Sequence, residues 1–113
     1  MEFREIKPAR IYLVGINKDI KISDCGKVYL KANEQVTFVT SEGREHDFCA
    51  KSWGFYSTPS VNGRLKDQGF KTALVKNSLG RFYIMVVDRD KMGDFEAYLK
   101  SDKNAVVQWL DEL

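Results

Sequence analysis

The sequence predicts an α+β fold, in which a largely antiparallel sheet of about six short strands packs against one principal C-terminal helix at residues 90–101. Short apolar runs separated by turn residues dominate the first half, whereas helical periodicity is confined to the 90–101 stretch. The chain of 113 residues is also of ordinary length for one domain, so residues 1–113 are predicted to form a single domain.

Runs of β-branched and aromatic residues predict the strands of the first half. They lie at 9–14, 20–22, 28–30, 35–40 and 45–50. The residues between the second and third runs, Ser23, Asp24, Cys25 and Gly26, are typical of a turn, and we therefore expect a hairpin there.

Three further strands are expected near the C-terminus, at 70–75, 82–87 and 105–110. The first two flank a short connection at 77–80. Because the run from Ile84 to Val87 is apolar on both faces, this strand is predicted to lie at the centre of the sheet.

The principal helix is predicted from spacing. Met92, Phe95 and Leu99 fall at i, i+3 and i+7 and define one apolar face. Asp90 has the residue type of an N-cap. A second, shorter helix is expected near 60–68, although Asn62 and the following glycine fit a hairpin turn as well.

Bulk composition excludes several classes of function. Apolar residues make up 43% and charged residues 30%, which is ordinary for a globular protein. The net charge of +2 argues against a nucleic-acid partner. No apolar run has the roughly 20 residues that a membrane helix needs, and the first residues mix charges where a signal peptide is apolar. We therefore expect a cytoplasmic protein with both cysteines reduced and no membrane partner.

Positive charge is concentrated in one part of the chain. Residues 50–83 hold six basic side chains against one acidic, Asp67. Within this part, residues 53–66 combine aromatic rings, hydroxyls, an amide and cationic groups, which is chemistry suited to recognising an anion. The candidate ligand-binding residues are Trp53, Tyr56, Ser60, Asn62, Arg64 and Lys66. The alternative is that the segment is an ordered connection whose polar groups satisfy its own backbone.

Catalytic and metal chemistry have less support in the sequence. His46 is the only histidine, and strand alternation turns its side chain away from that of Cys49. The two cysteines also lack paired metal-ligand spacing, so no metal and no cofactor are expected.

The function expected from the sequence is that of a small non-enzymatic binding domain. Its ligand would carry an anionic group, as do a phosphate-bearing sugar, a nucleotide and an acidic protein surface. One alternative is a small enzyme that uses Tyr56 or His46 together with Arg64. The other is a protein-interaction or self-association domain, which forms a homo-oligomer through an exposed sheet edge or a patch around Trp109.

Overall fold

A computed structural model describes all 113 residues. The eight strands are β1 (Glu2–Val14), β2 (Ile20–Tyr29), β3 (Gln35–Val39), β4 (Glu45–Lys51), β5 (Gly54–Ser57), β6 (Phe70–Lys76), β7 (Phe82–Asp88) and β8 (Ala105–Trp109). The helices are α1 (Arg64–Asp67) and α2 (Met92–Ser101), with 3-10 turns at Arg89–Lys91 and Leu110–Glu112. The α+β prediction is confirmed. The strands form three antiparallel sheets instead of one sheet of about six strands, ordered β1-β2, β3-β4-β5 and β7-β6-β8. The runs expected at 20–22 and 28–30 belong to one strand, β2, and β5 was not expected.

Backbone contacts group the chain into two compact units. Unit 1 comprises Met1–Val36 and Phe48–Tyr56, and unit 2 comprises Thr37–Asp47 and Ser57–Leu113. The chain crosses from one unit to the other within β3 and β4 and at the end of β5. Neither helix has the length and apolar composition that spanning a bilayer requires.

Unit 1 contains the long antiparallel hairpin of β1 and β2. The turn predicted at residues 23–26 is wrong, because β2 runs through these residues without a break. Gly26 is needed for a different reason: a Cβ there would lie 2.5 Å from the ring of Phe3, which packs over the glycine. The irregularity lies in β1, where the pairing register shifts between Glu5 and Arg10.

Unit 2 is built around the central strand β6. Phe70, Thr72, Ala73 and Val75 of this strand are buried, because β7 and β8 pair on either side of it. The prediction that 82–87 is a central strand covered on both faces is wrong. It forms β7 at an edge of the sheet, and of its apolar side chains only Val87 is buried.

The predicted principal helix is confirmed as α2, preceded by the Arg89–Lys91 turn. The expected N-cap was placed two residues late. The carboxylate of Asp88, rather than that of Asp90, accepts the backbone N–H of Asp90 and caps this turn. On the inner face of the helix, the ring of Phe95 meets that of Trp109 edge to face at 5.9 Å.

The short helix expected near 60–68 is present as α1. It ends at Gly69, whose φ of 95° favours glycine. The guanidinium of Arg44 fills the space beside this glycine, so that a Cβ there would lie 2.4 Å from Nη1. Leu65 anchors the helix and is fully buried.

A buried carboxylate fixes the C-terminal end of unit 2. Asp111 accepts the backbone N–H of Thr72 and the ammonium of Lys71, each at 3.0 Å. These bonds lower the pKa of Asp111 even though burial acts in the opposite direction. Asp111 therefore ties the last 3-10 turn to the central strand.

Replacing Asp111 by alanine should lower the free energy of unfolding by about 3 kcal/mol, because a buried N–H and a half-buried ammonium lose their acceptor. Urea titration measures the change. Glu112→Ala is the matched control, since Glu112 contacts the same ammonium at 3.3 Å from an exposed position. Its cost should stay below about 1 kcal/mol, and equal losses in the two variants would contradict this role of Asp111.

Candidate functional site

The six predicted ligand-binding residues are divided between the two units. Trp53 and Tyr56 belong to unit 1, where their rings stack with centroids 6.1 Å apart. Both side chains are exposed. Within unit 1 they form an aromatic pair open to solvent.

The other four residues belong to unit 2 and lie around α1. Ser60, Asn62 and Lys66 are exposed. The carbonyl of Ser60 accepts the N–H of Leu65 at 3.1 Å, and its hydroxyl packs so tightly on Gly63 that a Cβ there would lie 2.3 Å away. Ser60 thus helps to form the approach to α1, although no side chain caps the helix, whose N-cap residue is Gly63.

Arg64 is held by a buried carboxylate. Its two terminal nitrogens donate to the two oxygens of Asp47 at 3.0 and 2.9 Å, and Asp47 is only 2% exposed. The Arg64 guanidinium holds the pKa of Asp47 below its ordinary value. Since the planar fork of an arginine binds one carboxylate in this way, the group expected to grip a ligand already has an internal partner.

Other cations of the positive region also have partners within their units. Lys71 binds Asp111 and Glu112 and lies 4.7 Å from the centre of the Trp109 ring. Lys51 donates to Asn33 at 2.6 Å. By contrast, Lys66 and Arg81 make no ion pair. Much of the local positive charge therefore stabilises the fold, and less of it is available to a ligand than the composition suggests.

A serine–histidine contact joins His46 to residue 57. The Oγ atom of Ser57 lies 3.1 Å from Nε2 of His46, within unit 2. Burial lowers the pKa of His46, so its imidazole is neutral at pH 7 and able to accept a proton. The enzyme alternative uses His46, and this contact places its imidazole within hydrogen-bond reach of a residue of the 53–66 segment.

An arginine cluster that sequence analysis did not identify is centred on Arg44. Its guanidinium binds Asp88 at 3.1 Å, Asp90 at 2.7 Å and the carbonyl of Gln68 at 3.0 Å. These partners lie 24 to 46 residues away along the chain, and no local pattern links them. The cluster joins the β3–β4 connection to the start of the α2 region.

Neither cysteine belongs to a metal or disulfide site. Both thiols are free, with Cys25 exposed and Cys49 buried. No group of three or more His, Cys, Asp and Glu side chains is arranged to hold a metal ion.

An exposed apolar surface that sequence analysis missed is one face of the β1–β2 hairpin. Register and strand alternation place six apolar residues on this face, hereafter the apolar hairpin face: Phe3, Tyr12, Val14, Ile20, Ile22 and Val28. Each is between 36% and 57% exposed. No side chain of residues 1–36 is buried, so the hairpin has no core of its own.

Comparison of the chain with protein-family models, with curated proteins and with solved structures finds no match.

Loss of the Asp47–Arg64 pair should destabilise unit 2. Arg64→Ala leaves a buried carboxylate without its main partner, and we expect the melting temperature to fall by roughly 5 °C or more. An anion-binding role alone predicts an unchanged melting temperature. Differential scanning calorimetry measures the difference, and Lys66→Ala is the control, because this exposed neighbour makes no ion pair and its loss should have little effect.

The same pair should make stability depend on pH. Because the pKa of Asp47 is depressed in the folded state, the ionised pair contributes stability above pH about 4 and loses it as the pH falls through the lower, folded-state value. Thermal unfolding from pH 7 down to pH 2 should therefore show a shallower acid decline for Asp47→Asn than for the natural chain. Parallel curves would contradict the assignment.

Proposed function

We propose that this chain is a protein-interaction domain that docks onto a partner protein through the apolar hairpin face. The observation that carries the proposal is the exposure of all six apolar side chains on one face of a two-stranded sheet.

A two-stranded hairpin is marginally stable in water, and it needs packing on one face to persist. β1 and β2 extend over 13 and 10 residues, yet no side chain of either strand is buried. Contiguous exposed apolar surface in a soluble protein commonly marks an interaction site. A partner that covers this face would supply the missing packing.

Charge gives the hairpin two distinct sides. Three charged residues lie on the apolar hairpin face: Arg10 and Asp24, which pair with each other, and Glu5, which lies opposite Gly26 and binds Lys7 at 3.5 Å. The opposite face carries four exposed charged residues, Glu2, Arg4, Lys21 and Lys27, beside the exposed apolar side chains of Ile11, Leu13 and Tyr29. A partner with an apolar surface would therefore bind the first face, because burying the second would desolvate more charged groups.

Recognition of an anion through residues 53–66 is the less well supported proposal. Lys66, Ser60 and Asn62 are exposed and available to a ligand, but Arg64 already holds Asp47. A ligand would have to compete with that buried carboxylate for the guanidinium.

Site-specific photo-crosslinking tests the docking face. A benzophenone amino acid at position 12 replaces an exposed tyrosine of the apolar hairpin face, and the same group at Leu13 reports on the opposite face one residue away. In cells that produce the chain naturally, we expect a discrete protein adduct from position 12 and none from position 13. Ile22→Lys should abolish that adduct, because a charge would be buried against the partner.

Equal crosslinking from the two positions would refute docking through this face. So would an adduct that survives Ile22→Lys, or binding of the chain to neutral lipid vesicles that Ile22→Lys prevents, since the apolar occupant would then be lipid.

Catalysis is a second candidate, favoured by the Ser57–His46 contact of 3.1 Å. A neutral imidazole can take the hydroxyl proton of a serine as that oxygen attacks an electrophile. Arg64 contributes positive charge near His46 and also acts to lower the pKa of that imidazole.

A fluorophosphonate probe tests this candidate. Its phosphorus is attacked by an activated serine oxygen, and fluoride leaves. If the pair is catalytic, mass spectrometry should find the adduct on Ser57 in the natural chain, and His46→Ala should reduce the labelling by roughly 100-fold, within the usual range for loss of a general base. Ser52, an exposed serine without a histidine partner, is the internal control. Labelling of the two serines at the same rate would exclude the enzyme.

A further inference from the structure

Strand β7 presents a complete unpaired edge. It pairs only with β6, in a register that runs without a shift through seven residue pairs from Phe70 with Asp88 to Lys76 with Phe82. The N–H of Asn77 donates to Arg81 just beyond one end of this ladder. Since hydrogen-bonded and non-hydrogen-bonded pairs alternate, the odd-numbered residues of β7 bond to β6 and the even-numbered ones direct their N–H and C=O outward.

This edge lacks the features that usually prevent strands of separate molecules from pairing. β7 contains no lysine, no proline and no bulge, and Asp88 at its end is its only charged residue. The other edge of the same sheet differs. There β8 has only five residues, and its register shifts between Leu74 and Val75.

The side chains beside the free edge are apolar and exposed. Phe82 is 57% and Ile84 62% exposed. Phe82 and Ile84 pair with Lys76 and Leu74 of β6, whose side chains lie on one face of the sheet. Ala73 of β6 lies on the other face together with its partner Trp109, which packs there against Phe95 of α2. An added strand would extend the open face of Phe82 and Ile84 and shield its apolar groups from water.

We propose that β7 pairs antiparallel with β7 of a second copy of this chain, forming a two-fold symmetric dimer with one continuous sheet. The interaction uses a different surface from the apolar hairpin face and stands independently of it. Each dimer would carry two docking hairpins, so a partner with repeated sites would be bound with higher avidity.

A second copy fits the edge because the strand is complementary to itself. In both copies the N–H and C=O groups that point away from β6 belong to even-numbered residues. A two-fold axis at Met85 pairs the two strands over their full length and places Ile84 opposite Val86 of the second copy. No charge lies between Phe82 and Val87, and each Asp88 is neutralised by its own Arg44. Within β7, association therefore brings no like charges into opposition; the two cations that face each other, Arg81 of one copy and Arg89 of the other, lie just beyond the ends of the strand.

Analytical ultracentrifugation over a dilution series tests the dimer. We expect the natural chain to show a concentration-dependent monomer–dimer equilibrium. Ile84→Pro removes only an outward N–H, a substitution that an edge strand tolerates, and should raise the dissociation constant by about 100-fold or more. Ile84→Lys, which keeps the backbone donor and places a charge beside the axis, should weaken the dimer similarly. If Ile84→Pro fails to fold, the dissociation constant of Ile84→Lys alone tests the dimer.

The matched control is Leu79→Lys, which removes an equally apolar and more exposed side chain, 76% exposed, from the turn before β7. Its dimer should dissociate as the natural one does. Hydrogen exchange supplies a second measurement, since the amides of Ile84 and Val86 should be protected only at concentrations where the dimer forms. A natural chain that stays monomeric, a dimer that both Ile84 variants leave intact, one that Leu79→Lys weakens equally, or unprotected amides in the dimer would each overturn the proposal.

Discussion

The small size of the buried core determines how much of the apolar surface of this fold stays exposed. The buried apolar residues are Cys49, Ala50, Leu65, Phe70, Ala73, Val75 and Val87, of which only four are larger than alanine and cysteine. Meanwhile the chain leaves more than twenty large apolar side chains exposed. A core this small stabilises β6 and the elements beside it, but it does not extend to the hairpin. The exposed apolar groups are therefore surface that association can still cover.

Ion pairs supplement this core in unit 2. Asp47 and Asp111 are both buried carboxylates, and each receives a cation from a different element of the unit, Arg64 and Lys71 respectively. Such pairs add little net stability by themselves, but an uncompensated partner is costly. They therefore specify which elements meet. Arg64 and Lys71, two of the basic residues of the positive region at 50–83, are therefore explained by their ion pairs with these buried carboxylates.

Local patterns predicted both helices. The apolar spacing of Met92, Phe95 and Leu99 predicted α2, and the short helix expected near 60–68 is α1. A local pattern also predicted the turn at 23–26, which the continuous strand β2 replaces. Position within a sheet was not predictable in the same way. The apolar run of β7 was predicted to be a central strand. An apolar sequence indicates that the faces of a strand are to be covered, but it does not indicate whether the same chain or another molecule covers them.

The internal partner of Arg64 was not predictable from the sequence for a related reason. Arg64 was identified by its neighbours in sequence, whereas its partner Asp47 lies 17 residues earlier, on another element. One signal was present: Asp47 shares a strand face with Cys49, and a carboxylate on a buried face needs a cation. The Ser57–His46 contact and the Arg44 cluster depend on similar distant pairings.

The uncharged stretch of β7 before Asp88 also bears on how this chain reaches its folded state. A six-residue stretch of high β propensity, without charge or proline, from Phe82 to Val87, is the kind of segment that stacks into cross-β aggregates when it is exposed in unfolded chains. Until β6 has paired with it, nothing in its own sequence opposes such stacking. Productive assembly and aggregation thus compete for the same six residues, and this competition favours slow, dilute production of the protein.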